Sequence, residues 1–225
     1  MKVFRKNYPV NRLLFLVIII YFASHGQGCA VIQNIIQKET QPVPPRPESA
    51  PPLRQAIATL SVNARVNIQA PAGDITLSAQ LRYTGMDSLF IQVRDPLKRQ
   101  LAQFTLTDRR YTLWLQRENR HLSGAELPET IGNYTLPQIP LDDLAELLIG
   151  QIDRNQSGYY PVYDRHRRLI RLSPKSDNQT VFIYDNWNPI GIYYWIPHRV
   201  NLNFGKEVKI TIQYSQFQVE FRKLT

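Results

Sequence analysis

The chain has 225 residues, of which 43% are hydrophobic and 20% charged, and its formal charge is +9 at pH 7. This length suits one domain with a leading segment, and the single cysteine excludes an internal disulfide, so the fold must depend on packing. Four positive charges lie within the first 12 residues, and the remaining excess of +5 suits an anionic membrane surface or an acidic partner. That excess does not by itself indicate nucleic-acid binding.

Residues 1–28 have the three parts of a secretion signal. Lys2, Arg5, Lys6 and Arg12 precede an apolar run at 13–23, which small and polar residues follow. An apolar run of about 11 residues is too short for a transmembrane helix, which needs about 20, but it is typical of a signal peptide. We therefore expect these residues to direct export.

The only cysteine, Cys29, directly follows this signal. Because an exported chain with one thiol cannot form an internal disulfide, Cys29 is free, bound to another chain or modified. Its position after the small residue Gly28 resembles the lipobox of bacterial lipoproteins, although Gly26 replaces the usual aliphatic residue. We expect Cys29 to be acylated, and the alternative is ordinary cleavage beside an incidental cysteine. Two or three acyl chains would anchor the protein stably, where one chain does not.

Residues 29–53 have the composition of a spacer. Polar residues are followed by prolines that favour an extended, solvated chain: Pro42, Pro44, Pro45, Pro47, Pro51 and Pro52. We expect this spacer to hold a domain at 54–225 away from a membrane, and the alternative is a short helix at 31–38 packed on the domain. Ala30 follows the cysteine where the lipoprotein family uses Asp for retention in the inner membrane, which favours the outer membrane.

The first half of the domain has the period of two that is typical of half-buried strands. The alternation runs over five segments: 60–69, 75–83, 89–93, 101–107 and 110–117. Tight turns at 71–74 and 85–87 join antiparallel neighbours, so the first three of these segments form a meander. Trp114 lies on the face opposite Tyr111, Leu113 and Leu115, so we expect the sheet to be covered on one face and to line a cavity on the other.

The loop at 95–100 places an apolar side chain beside two cations. Pro96 cannot continue the hydrogen-bond ladder, and Leu97 lies between it and the pair Lys98 and Arg99. Leu97 either projects from the loop or folds back into the core, and the sequence does not distinguish the two.

The strongest helical signal spans residues 140–150. Four leucines at helical spacing form its apolar face: Leu141, Leu144, Leu147 and Leu148. Asp142 and Asp143 lie in the first turn, where the helix dipole favours anions, and Gly150 can end the helix. Because it stands between two blocks of strands, this helix must bury its apolar face on the sheet as a plug or lid. A weaker helix is expected at 129–134.

The second half of the domain is again β. We expect strand structure in 159–172, 180–185, 190–195, 200–204, 208–214 and 217–221, with a turn at 186–189. About ten strands around one helix predict a mainly β fold, a strongly curved antiparallel sheet or open barrel whose interior can hold a ligand. Trp114, Tyr193 and Trp195 are the candidates to line or fill that cavity.

The sequence contains no recognisable catalytic or metal-binding motif. His121, His166 and His198 each lack a second ligand at metal spacing, and neither G-x-S-x-G nor a phosphate-binding glycine loop is present. The basic run at 165–168 is interpreted as a solvated face or as a contact with anionic head groups or an acidic partner. The export signal argues against nucleic acid. We expect no enzyme, no cofactor and no metal site.

Three stretches carry a family resemblance. These are Asp95-Pro96-Leu97 with Leu101, then 131–150, with its Ile-Pro-Leu helix start and Leu-Ile-Gly end, and last Pro197–Tyr214. In this order they resemble the Asn-Pro-Leu-Gly loop, the lid region and the C-terminal hairpin of the LolB outer-membrane lipoprotein receptors. With the periplasmic carrier LolA, that family shares an open β-barrel and a helical lid over an apolar cavity. The resemblance covers residues 57–220.

The resemblance implies a monomeric outer-membrane receptor, lipid-anchored through Cys29 on the periplasmic face. It would bind acyl chains in the cavity, receive lipoproteins from a LolA-like carrier and insert them into the outer membrane. In the family the leucine of the projecting loop serves membrane delivery; Leu97 matches that position, while Lys98 replaces the glycine that follows it. The alternatives are a LolB-like lipoprotein that binds another lipid, and a structural lipoprotein with a filled barrel that scaffolds an envelope complex.

Overall fold

The structure is a computed structural model that describes residues 53–71, 73–84, 88–128, 130–131, 134–135, 139–152, 158–175, 180–204 and 208–222. The predicted signal, Cys29, nearly all of the spacer and the alternative helix at 31–38 lie outside the described residues. The described part therefore concerns the predicted domain.

The described part contains two α-helices, one 3-10 turn and thirteen strands. The helices are α1 (Leu53–Ala56) and α2 (Leu141–Leu148), and the 3-10 turn spans Gln116–Glu118. The strands are β1 (Ile57–Ala70), β2 (Gly73–Thr84), β3 (Ser88–Arg94), β4 (Gln100–Thr107), β5 (Arg110–Leu115), β6 (Arg120–Gly124), β7 (Thr130–Ile131), β8 (Tyr134–Thr135), β9 (Tyr159–Tyr163), β10 (Leu169–Pro174), β11 (Thr180–Ile190), β12 (Tyr194–Phe204) and β13 (Val208–Phe221).

Eleven of these strands form one antiparallel sheet in the order β6-β5-β4-β3-β2-β1-β13-β12-β11-β10-β9, and β7 pairs with β8 separately. Two meanders, β1–β6 and β9–β13, thus meet where the first and last strands pair. Because β6 and β9 remain edges, the sheet is not closed. This confirms the predicted open, curved antiparallel sheet with a helix.

The alternation of the sequence decides which side chains face the core. Leu60, Val62 and Ala64 of β1 are buried, and so are Leu81 and Tyr83 of β2. Residues at every second position of a strand share one face, so these side chains make a continuous apolar inner face. The connection from edge strand β6 to edge strand β9 contains α2, whose buried leucines join the same core.

The predicted turn at 186–189 is wrong. These residues lie within β11, where Trp187 pairs with Pro197 of β12, and the chain turns at 191–193 instead. Asn186 keeps a left-handed φ of 53°, a conformation that asparagine tolerates. Pro189 is accommodated because the pairing of β11 with β10 involves only residues 182 and 183, so position 189 needs no N–H bond on that side.

Two further local expectations differ from the structure. The described residues of the predicted helix at 129–134 belong to the short pair β7 and β8. The expected β segment at 159–172 is a hairpin, in which a loop at 164–168 joins β9 to β10. A period of two does not reveal such a loop, because a tight hairpin interrupts it by only a few residues.

Candidate functional site

Helix α2 rests on the inner face of the sheet by its apolar side. Leu141, Leu147 and Leu148 are buried, and Leu144 is partly buried against the same core. The predicted lid leucines therefore all contact the core, as the helical spacing requires. Both ends of α2 are held by further contacts.

The C-terminal end of α2 is closed by a Schellman motif. The N–H of Gly150 donates to the carbonyl of Leu147 (3.3 Å) and that of Gln151 to the carbonyl of Glu146 (2.9 Å), while Gly150 takes a φ of +68°. A side chain at position 150 would also meet the Trp187 ring at 2.7 Å. Gly150 thus ends the helix, as predicted, and its lack of a side chain lets the chain pass close to β11.

A buried hydrogen bond joins this end of α2 to the sheet. The Tyr214 hydroxyl of β13 donates to the carbonyl of Leu148 at 2.7 Å. Since the last carbonyls of a helix lack partners within the helix, the hydroxyl satisfies a group that would otherwise be buried alone. Burial raises the pKa of Tyr214, so the donor keeps its proton at neutral pH.

The N-terminal turn of α2 contacts both halves of the sheet. Asp142 lies 3.2 Å from the Nε of Arg109, which stands between β4 and β5, and both groups are largely exposed. Asp143 accepts a hydrogen bond from the Tyr159 hydroxyl of edge strand β9. Burial, and then the charge and hydrogen bond of Asp143, raise the pKa of Tyr159 to about 12. Helix α2 is therefore held to both meanders.

A small apolar cavity lies between α2 and the sheet. Its walls are side chains of β1, β2, β3, β12 and β13 on one side and Ala145, Leu148 and Ile149 on the other, and its volume is about 20 Å³. Sites for small molecules have roughly 300–1,000 Å³, so this cavity is about the size of one water molecule. An acyl chain can enter this space only if α2 moves away from the sheet.

The predicted cavity aromatics do not line this cavity. Trp114 stacks on His121 with ring centroids 5.6 Å apart, and the Trp195 ring lies 5.0 Å from the guanidinium carbon of Arg168. Tyr193 lies in the turn between β11 and β12. The aromatic side chains that do face α2 are Tyr83 and Tyr214, which were not among the predicted cavity residues although both stand at inner-face positions of alternating segments.

The loop between β3 and β4 projects Leu97 into solvent, where 71% of the residue is exposed. The structure thus shows the projecting alternative for this leucine. The loop is built by Asp95, only 1% exposed, whose carboxylate accepts from the backbone N–H of Arg99 at 2.9 Å and from its Nε at 2.7 Å. Burial alone would raise the pKa of Asp95, but these bonds outweigh burial and lower it.

Lys98 stands where the Asn-Pro-Leu-Gly loop of the LolB family has glycine. Its φ is 64°, in the left-handed region that favours glycine, and its N–H donates to the carbonyl of Asp95 at 2.9 Å. The left-handed conformation costs a non-glycine residue about 1–2 kcal/mol. The hydrogen bonds of Asp95 hold the loop in this conformation with lysine at the position.

The loop between β9 and β10 repeats this geometry with a different sequence. The carboxylate of Asp164 accepts from the N–H (2.9 Å) and the Nε (2.7 Å) of Arg168, and Arg167 has a φ of 61°. Here the tip consists of Arg165, His166 and Arg167, all exposed. The signal that the two loops share in the sequence is an Asp followed four residues later by an Arg.

Within the part of the chain that the structure describes, no helix is long and apolar enough to cross a membrane. The described side chains likewise bring together no group of three or more His, Cys, Asp or Glu residues that would hold a metal ion.

Solved structures with a similar fold are known. A domain described as an outer membrane lipoprotein-sorting protein, from Vibrio parahaemolyticus, is 12% identical, with a TM-score of 0.51 over 75% of this chain and 87% of its own. A DUF1329 family protein from Desulfovibrio piger is 13% identical, with a TM-score of 0.52 over 76% and 89%. A LolA superfamily protein from Nitrosomonas europaea is 12% identical, with a TM-score of 0.48 over 74% and 87%. A comparison with curated proteins finds no match.

At such low identity these structures show the fold alone. They place the chain in the class of open, curved β-sheets that carry a helix on the inner face. The family is shown by the sequence: the profile of "Outer membrane lipoprotein LolB" matches residues 59–216, most of the chain. The chain belongs to the LolB family of outer membrane lipoproteins.

Proposed function

We propose that this protein is anchored to the outer membrane by acylated Cys29, on the periplasmic face, and acts there as a monomer. It takes the acyl chains of lipoproteins from a LolA-like carrier into the apolar space under α2 and inserts the lipoproteins into the outer membrane. The observation that carries the proposal is the apolar inner face of an open sheet, covered by one amphipathic helix, in a chain of the LolB family.

The acyl-binding step requires α2 to leave the sheet. The polar contacts that this movement breaks include the buried bond from Tyr214, the hydrogen bond between Tyr159 and Asp143, and the exposed pair of Arg109 with Asp142. An acyl chain contributes about 0.8 kcal/mol for each buried CH₂, so a chain of ordinary length offsets the loss of these contacts. The leucines uncovered by the movement would pack against the acyl chain.

The delivery step uses the loop at 95–99. Leu97 is the exposed apolar side chain at its tip, and Lys98 beside it adds a cation that favours an anionic bilayer by about 1 kcal/mol. Arg99 is bound to Asp95, so its charge is partly neutralised by the loop itself.

The test of acyl binding is a titration of the purified chain with a fluorescent fatty-acyl probe, followed by competition with an acylated lipoprotein. We expect saturable binding that the lipoprotein displaces. Ala145→Trp places an indole in the cavity wall and should abolish binding, whereas Ala125→Trp, at an exposed position after β6, is the matched control and should bind normally.

The small cavity favours one other candidate, a filled barrel that scaffolds an envelope complex. A chain that keeps its circular dichroism spectrum and cooperative melting but does not bind the probe would contradict acyl transfer and support that scaffold. Binding of the probe without displacement by lipoprotein would instead indicate another lipid as the ligand.

A further inference from the structure

The outer face of the sheet carries an exposed apolar cluster on the edge strand β9 and on β11. Tyr160, Val162 and Ile183 are 60%, 46% and 36% exposed. The strand register brings them together, because Arg171 pairs with both Val162 and Ile183, and Ser173 pairs with Tyr160. The alternate residues Leu172 and Phe182 are buried on the inner face. We call Tyr160, Val162 and Ile183 the hairpin patch.

Cations surround the hairpin patch. Residues 158–175 contain four arginines and one lysine but a single carboxylate, Asp164, which is bound to Arg168. Arg171 is exposed in the centre of the patch, and the Lys175 ammonium lies 5.4 Å from the centroid of the Tyr160 ring. Arg165 and Arg167 are exposed at the tip of the same hairpin. The surface therefore combines apolar, aromatic and cationic side chains.

This combination matches the chemistry of a bilayer surface. Arginine and lysine attract anionic phosphates, a tyrosine ring suits the boundary between head groups and acyl chains, and Val162 and Ile183 add apolar area. An acidic protein surface would satisfy the cations but would leave the exposed aliphatic side chains without a matching partner. We infer that the hairpin patch docks on anionic phospholipid and orients the domain on the membrane, a role that rests on the proposed membrane anchoring.

The test uses the full chain with Cys29→Ser, which removes the only thiol, and a new cysteine labelled with an environment-sensitive fluorophore. Vesicle flotation measures how much of each chain is bound, so the label reports how the bound domain faces the bilayer. Val162→Cys places the label in the patch. Ser123→Cys, exposed on the opposite edge strand β6, is the matched control. The vesicles are phosphatidylcholine with or without phosphatidylglycerol.

We expect a blue shift of the label at position 162 on vesicles with phosphatidylglycerol, little shift on phosphatidylcholine alone, and none at position 123. Removing one cation, with Arg165→Ala or Arg167→Ala, should weaken docking by about fivefold, and high salt should act in the same direction. A melting curve of each labelled chain establishes that it is folded.

Equal signals at positions 162 and 123, or no response to phosphatidylglycerol, would overturn the inference. A shift that appears only when an acidic carrier protein is added would assign the patch to a protein partner and also overturn it. Acyl-probe binding is measured on the same chains, so a failure of the docking surface is distinguished from a failure of the proposed transfer function.

Discussion

At the scale of single residues, two carboxylates, Asp95 and Asp164, determine the shape of two loops. Asp95 and Asp164 make the same set of hydrogen bonds to an arginine four positions later, although the residues between them differ completely. The tip residues are therefore free to vary with function. One loop presents Leu97 and the other presents cations.

Replacing Asp95 by asparagine should destabilise the domain by about 1–2 kcal/mol at pH 7, because a charge-assisted bond to Arg99 becomes weaker. The folded state lowers the pKa of Asp95, so its contribution is present above the ordinary value of 3.8 and is lost as pH falls below it. Urea unfolding at pH 7 and near pH 3 measures both effects.

Asp108→Asn, at an exposed turn position, is the control for Asp95→Asn and should change stability little. If Asp95→Asn lowers the free energy of unfolding as much at pH 3 as at pH 7, the carboxylate charge does not support the loop.

Leu97→Glu should leave the free energy of unfolding within about 0.5 kcal/mol of the wild type, because the side chain is exposed. Binding of the acyl probe should also be unchanged, whereas release of a bound lipoprotein to vesicles should be lost. Leu97→Met keeps an apolar tip and should retain release. Unfolding of the Leu97→Glu chain would mean that the leucine belongs to the core, contrary to its exposure.

At the scale of elements, the end of α2 is more constrained than its beginning. Its first turn is held by the exposed pair of Arg109 and Asp142 and by the bond from Tyr159 to Asp143. Its last turn combines a Schellman motif, the bond from Tyr214 and close packing on Trp187. Movement of α2 should therefore start at its N-terminal end, with Gly150 as the fixed point.

Gly150→Ala tests how strongly φ and packing at position 150 constrain the end of α2. A φ of +68° costs a non-glycine residue about 1–2 kcal/mol, and the new methyl group would lie 2.7 Å from the Trp187 ring, so we expect a loss of about 2 kcal/mol or more. Gly158→Ala, which meets nothing within 4 Å, should stay within about 0.5 kcal/mol. Chemical unfolding of the two variants gives the comparison, and equal losses would show that neither φ nor packing matters at position 150.

The sequence predicted the elements whose signals are periodic. The first five strands of the first meander and α2 followed from apolar alternation and helical spacing, since both reflect burial on one face. The short edge strand β6 (Arg120–Gly124) was not predicted. The turn at 186–189 was mispredicted because asparagine and proline, usual turn residues, are tolerated in a part of β11 that pairs on one side only.

Only part of the candidate site was predicted, because only part of it has a local signal in the sequence. Leu97 and the leucines of α2 have local signals, a proline-bounded loop and a 3.6-residue period. The cavity wall comes from five strands that are distant in the chain, and the size of the cavity depends on how α2 packs. Neither follows from local pattern, and the bulky side chains of Trp114, Tyr193 and Trp195, the candidates to line or fill the cavity, do not line it.

At the scale of the whole molecule, the sheet is two meanders joined by one seam, the pairing of β1 with β13. The strands are each 14 residues long, and the backbone N–H of Arg222 donates to the carbonyl of Ala56 at 2.8 Å beside it. Helix α2 lies in the connection between the two outer edges of the sheet and contacts both meanders. The inner face is therefore shared between halves that are continuous only through the seam.

The seam also sets the order of events during folding. Residues 57–69 pair with residues 209–221, so the middle of the sheet cannot form until the last strand has been synthesised. Contacts so distant in the chain form only after the entropy cost of closing a long loop has been overcome, which makes folding slow. Until then each half exposes the apolar face that it will later share. If the chain crosses a membrane unfolded, as the export that we propose would require, it benefits from this delay and needs protection from aggregation for as long as the delay lasts.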